Sequence, residues 1–146
     1  MKFLFFSAAM ALLLAGCGQK VAHFDVRTLF PVEGQFTWNG KPVEGATVVF
    51  TPASWRLDPG TSNPAGLTGP DGRFKLTTYT KDDGAPAGKY RITVVKKVPS
   101  TKGGMFAPNP LPEKYAGLNT TPLEVEVQEG KNELPAIELV GKPTKR

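Results

Sequence analysis

From Val32 onward, apolar and polar residues alternate with period two in several short runs, the signature of half-buried strands. Val32 to Trp38 is the first run. Asn39-Gly40 follows it and predicts a tight hairpin, because both turn positions then require positive φ. Ala46 to Thr51 is rich in β-branched residues and reads as a second strand, ended by Pro52. Gly66 to Thr68 reads as a short third. Gly69-Pro70-Asp71-Gly72 predicts a turn, since Pro presets φ and Gly accepts the left-handed position. Arg73 to Tyr79 follows as a strand with Phe74, Leu76 and Thr78 on one face.

After a loop over residues 81–88, Tyr90 to Lys96 predicts a strong strand with Tyr90, Ile92 and Val94 inward. Leu123 to Val127 alternates cleanly. Residues 129–132 turn the chain, and Leu134 to Val140 closes the sheet, with Pro135 pointing to an edge position or a bulge. The pattern predicts an all-β sandwich of about seven short antiparallel strands and no helix of ordinary length. Two loops stand out. Residues 52–65 are polar and hold Trp55. Residues 98–122 are a 25-residue connection with five Pro and three Gly, a length that marks a functional or mobile loop.

The amino terminus follows a different pattern. Lys2 precedes Phe3 to Ala15, apolar except for Ser7 and too short to cross a bilayer comfortably. It ends in Leu14-Ala15-Gly16-Cys17, which resembles a bacterial lipobox. The small residues suit a narrow peptidase pocket, and the thiol is the group that takes diacylglycerol. This accounts for a lone Cys in an exported chain. The expected organisation is a lipoprotein signal peptide (1–16), a lipidated tether (17–30), the β-domain (31–141) and a basic tail (142–146). Cys17 is the expected lipidation site, so the membrane is a partner through its acyl chains. Gly18 in place of Asp hints at the outer membrane or cell surface rather than the inner membrane.

Composition narrows the chemistry. The chain of 146 residues has one Cys and one His, so it offers no internal disulfide, no two-His metal site and no thiolate cluster. His23 lies in the tether. Ser54, Ser62 and Ser100 are loop residues with no base available to them. Asp58, Asp71, Asp82, Asp83 and Glu113 are the carboxylates that a glycosidase would draw on, but Asp71 and Asp82-Asp83 stand in turn contexts beside Gly. Asp82-Asp83-Gly84 also supplies oxygens for a cation, though too few for a calcium site. The expectation is a non-enzymatic chain with no cofactor and no metal. Removing Lys2 with the leader takes the basic count from 18 to 17 against 13 acids, a net charge of +4. That charge favours an anionic surface. The basic residues are scattered among acids, which argues against nucleic acid. Arg73, Lys75, Lys89 and Arg91 on some strands and Glu124 and Glu126 on another would pair across strands if those strands are neighbours.

Three segments together resemble carboxypeptidase regulatory-like domains. They are Val32-x-Gly34-x-Phe36-x-x-Asn39-Gly40-Lys41-Pro42-Val43-x-Gly45-Ala46-x-Val48-x-Phe50-x-Pro52, Thr68-Gly69-x-Asp71-Gly72-x-Phe74-x-Leu76, and Pro86-Ala87-Gly88-x-Tyr90-x-Ile92-x-Val94. Small lipoproteins of Planctomycetes type look like this chain. The resemblance implies a transthyretin-like (prealbumin-like) sandwich; it does not imply peptidase activity. Independently of that resemblance, Tyr90 begins a strand just after Gly88 and is expected to hydrogen-bond a corner, as tyrosine corners do.

Two functions are expected from these observations. The first is a membrane-anchored, non-enzymatic scaffold, adhesion or assembly module with an envelope protein as partner. The second is a lipoprotein that binds carbohydrate or another small ligand through loop aromatics, with Trp55, Phe106 and Tyr115 as ligand-binding residues and an envelope glycan as partner. The same aromatics would otherwise cover the ends of the core.

Overall fold

The computed structural model describes residues 27–54, 62–101, 103 and 106–144. The signal segment, Cys17, His23 and Trp55 lie outside the described residues. Among the described residues the structure is all-β apart from one 3-10 turn at Glu113–Tyr115. In order, the strands are β1 (Leu29–Phe30), β2 (Val32–Trp38), β3 (Lys41–Pro42), β4 (Ala46–Pro52), β5 (Ala65–Leu67), β6 (Arg73–Lys75), β7 (Ala85–Pro86), β8 (Gly88–Lys96), β9 (Val98–Pro99), β10 (Phe106–Ala107), β11 (Glu124–Val127), β12 (Asn132–Glu133) and β13 (Ile137–Leu139).

One sheet runs β11-β8-β4-β5, antiparallel throughout. The second is built on β2, with β6 and β3 on one side and β12 and β13 on the other. The two sheets face each other in a sandwich-like arrangement. Alternation drives this: Val32 and Phe36 on β2, Ala46, Val48 and Phe50 on β4, and Tyr90, Ile92 and Val94 on β8 are all buried. Phe36 stacks on Phe74 at 5.3 Å within one sheet, and Phe50 meets Tyr90 at 5.8 Å within the other. Phe50 and Phe74, 6.2 Å apart, join the two layers. Each such side chain contributes roughly 1.5–3 kcal/mol by leaving water.

The predicted turns form as their residues dictate. Asn39 and Gly40 have φ of 52° and 72°, the pair that a tight hairpin demands. Gly72 closes its turn by donating to the Gly69 carbonyl at 2.9 Å, and a Cβ there would overlap the Phe36 carbonyl oxygen. On the outer faces Glu124 lies opposite Arg91 and Glu126 opposite Lys89, with Arg91 Nε 3.3 Å from Glu124.

Three expectations need correction. The strand from Arg73 stops at Lys75, with one isolated bridge from Thr77 to Ala65, because the backbone amides from Thr78 to Thr80 turn onto the Asp83 carboxylate. The segment from Leu134 to Val140 is not an antiparallel closing strand. β12 and β13 both run parallel to β2, because β11 belongs to the opposite sheet and residues 128–131 cross between sheets at the end where β2 starts. Glu133 faces Glu33 and Ile137 faces Phe36, so the carboxy-terminal segment uses one residue more than β2. That extra residue is a bulge at Leu134-Pro135-Ala136, on the outer edge of the sheet. Finally, the long connection is not without structure: it contains β9, β10 and the 3-10 turn.

The sandwich has two distinguishable ends. At the entry end, β1 pairs with β7 just before β8 begins. At the hairpin end, β9 and β10 pair just after β8 finishes. β8 is nine residues long, so roughly 27 Å separates the ends.

Candidate functional site

The hairpin end is assembled around Asn109. Its Oδ1 accepts the Lys96 amide at 3.0 Å and the Leu111 amide at 3.3 Å. One side chain therefore fixes where the excursion leaves the sheet and where it returns. Between these points Val98 pairs with Ala107 and Pro99 with Phe106. A two-residue ladder that projects beyond the sheets leaves its side chains little to pack against, and Phe106 is 55% exposed. The Lys97 ammonium sits 5.6 Å from the centre of the Phe106 ring, within range of a cation–π contact.

The remaining aromatics named from the sequence do not join Phe106. Tyr115 is 2% exposed and belongs to the core. Its hydroxyl accepts the Val140 amide at 2.9 Å and donates to the Val140 carbonyl at 3.2 Å, which ties the 3-10 turn to the carboxy-terminal strand. It is a structural clasp and not the exposed stacking ring expected from the sequence. Trp55 lies outside the described residues, but the base of its loop is at the entry end, where the Ala53 amide donates to the Lys89 carbonyl at 2.8 Å. Lys89 and Lys96 are separated by most of β8, so the bases of the two loops are about 23 Å apart. Phe106 and Tyr115 thus do not form one site, the first ring standing in solvent and the second in the core.

A second feature lies on the outer face of β4, β8 and β11. A groove of about 530 Å³ is bounded by Ala53, Lys89, Arg91, Leu118, Asn119 and Glu124. Its floor carries the Arg91–Glu124 ion pair, and Arg91 Nη1 also reaches the Leu118 carbonyl at 3.5 Å. The groove is amphoteric, and Arg91 and Glu124 in it pair with each other.

The carboxylates considered for hydrolysis are committed to turns. Asp71 accepts the Arg73 amide at 3.0 Å and lies 3.8 Å from the Arg73 guanidinium. Asp83 accepts the amides of Thr78 (2.6 Å), Tyr79 (2.9 Å) and Thr80 (2.6 Å). Burial raises the Asp83 pKa, but these amides outweigh burial and hold it below the ordinary carboxylate value. Asp82, at φ 60°, donates its amide to the Thr77 hydroxyl. Glu113 is exposed in the 3-10 turn at the hairpin end, and Asp58 lies outside the described residues. Among the described residues no three His, Cys, Asp or Glu side chains converge as metal ligands.

Three residues of the hairpin end escaped the pattern analysis. Lys97 and Asn109 sit in a segment with no periodicity. Glu138 accepts the Gly40 amide at 3.1 Å and the Thr37 hydroxyl, which lowers its pKa, the Thr37 bond contributing most. Only an Asn flanked by Pro at 108 and 110, a setting suited to a backbone-clasping side chain, offered a signal for Asn109.

No family model matches the chain, and no curated protein does. Among solved structures, a 9R-lipoxygenase from Cyanothece PCC8801 is similar with a TM-score of 0.40 and 14% identity, over 76% of this chain and 16% of that one. A likeness of that size carries no statement about chemistry.

Proposed function

We propose that the chain is an extracytoplasmic lipoprotein, held to a membrane by acyl chains on Cys17, whose transthyretin-like, carboxypeptidase regulatory-like sandwich is a non-enzymatic adhesion or assembly module of the cell envelope. The single observation that carries this reading is the division of the sandwich into two ends. β1 is paired to β7, so a tether arriving from Cys17 enters at one defined end, while the exposed aromatic hairpin stands at the other. The entry is stiff. A Cβ at Gly84 would overlap the Phe30 carbonyl oxygen, and the Tyr90 hydroxyl donates to the Pro86 carbonyl at 2.8 Å, tying β7 to β8. That bond is the corner suggested for Tyr90, and burial, which raises its pKa, keeps the phenol a neutral donor. Leu29 and Phe30 belong to the domain as β1, so the tether is residues 18–28 and reaches at most roughly 40 Å; the module works close to its membrane, with the outer membrane or cell surface favoured by Gly18.

Palmitate labelling and membrane fractionation of the wild type and Cys17→Ser test the reading. The wild type is expected to take up label and sediment with membranes; the variant is expected to do neither. Label or membrane association that survives Cys17→Ser would overturn the anchor.

A further inference from the structure

We infer that the hairpin end is a binding site for an acidic polysaccharide, with the Phe106 ring as the stacking surface for a sugar and Lys97 as the cation for its carboxylate or sulfate. The inference rests on the anchored reading above for its biological setting and on three observations of its own. First, the chain carries no acid between Asp83 and Glu113, and Lys96 and Lys97 in that stretch stand at this end. Secondly, the fold gathers lysines from separate segments at this end. Lys96 is clasped by Asn109, and Lys41 lies opposite Trp38 in the β2–β3 ladder. Trp38 Nε1 donates to the Gly141 carbonyl at 3.3 Å, which brings Lys142 to the same end, and Lys114 lies against Tyr115 at 4.9 Å. The acids there are fewer: Asp71 faces Arg73, Glu138 is held by Gly40 and Thr37, and Glu44 and Glu113 are exposed. Thirdly, the exposed ring and the ammonium are already in contact, 5.6 Å apart.

The pairing selects the ligand class. An aromatic face attracts the apolar C–H face of a pyranose, and an adjacent ammonium attracts an anion attached to that same ring. An acidic protein would satisfy the lysines but would leave the ring without a sugar to stack on.

The test uses the full-length chain in detergent micelles, with polygalacturonate as probe and dextran and polyglutamate as controls. Polygalacturonate is expected to bind in a salt-sensitive manner, and dextran and polyglutamate at least about tenfold more weakly. Phe106→Ala should weaken polygalacturonate binding about tenfold and Lys97→Gln about threefold, whereas Phe106→Trp should retain it. Phe106 is exposed, so its variants are expected to fold, and circular dichroism checks this. Equal binding of polyglutamate would show simple charge attraction and overturn the sugar site. So would an unchanged affinity in Phe106→Ala, or no binding of polygalacturonate. Cys17→Ser should bind polygalacturonate as the wild type does, so failure of the anchor and failure of this site are read separately.

Discussion

At the entry end, the described connections around β7 and β12 are tied down by side chains that bond to backbone. Asp83 gathers three amides. Asn132 accepts the Gln128 amide at 2.8 Å and donates to the carbonyls of Gln128 and Gly130 at 2.9 and 3.0 Å. Tyr90 holds Pro86, and Gly84 passes against Phe30 with no room for a Cβ. At the hairpin end the excursion is clasped at its base by Asn109, and Phe106 and Lys97 stand exposed beside that base. Satisfied polar networks make the first end rigid and costly to alter. The second end has little of its stability invested in the residues that it displays, which leaves them free to be chosen for recognition.

The largest way to break this contrast is Gly84→Ala. The new methyl group would collide with the Phe30 carbonyl at a position with φ of 91°. Such a substitution should cost about 3 kcal/mol or more, seen as a fall in Tm and faster hydrogen exchange at Phe30 and Leu76. A wild-type Tm would mean that β1 is not seated on β7 as described.

Asp83→Ala should cost about 1–2 kcal/mol at neutral pH, measured by urea unfolding. The pH dependence sharpens the attribution. The folded pKa of Asp83 is lowered, so its contribution is complete above the unfolded value, about 3.9. It is lost as pH falls through the folded value. The stability gap between wild type and variant should therefore be full at pH 7 and narrow progressively below about pH 4. A gap that does not change with pH would assign the loss to packing instead.

The smallest effect is expected at the other end. Phe106→Ala should alter stability by less than about 0.5 kcal/mol, since most of the residue is already in solvent. A large fall in Tm would show Phe106 to be a structural cap and remove the contrast.

Much of the fold was legible in the chain. Val32 to Trp38, Tyr90 to Lys96 and the Asn39-Gly40 hairpin appear where the pattern puts them, because alternation and turn chemistry are local properties. Arg73 to Tyr79 misled because its alternation continues past Lys75, while a carboxylate eight residues beyond Lys75 claims the amides that a longer strand would need. The candidate site was less legible. Phe106 could be singled out as a loop aromatic, but Tyr115 has the same sequence setting and is buried, because Val140 returns from the far end of the chain to meet its hydroxyl.

By itself, then, the sequence determined what nearest neighbours can determine: strand faces, turn types, the lone thiol in its lipobox-like setting and the poverty of catalytic side chains. The tertiary structure alone decided direction and company. It set β12 and β13 parallel to β2, placed the bulge at Pro135, sent Phe106 and the base of the Trp55 loop to opposite ends, and brought Lys97 onto the Phe106 ring. The physical reason is that these pairings join residues whose separation along the chain is closed only by burial of a common core, and no local pattern encodes which distant segment will arrive.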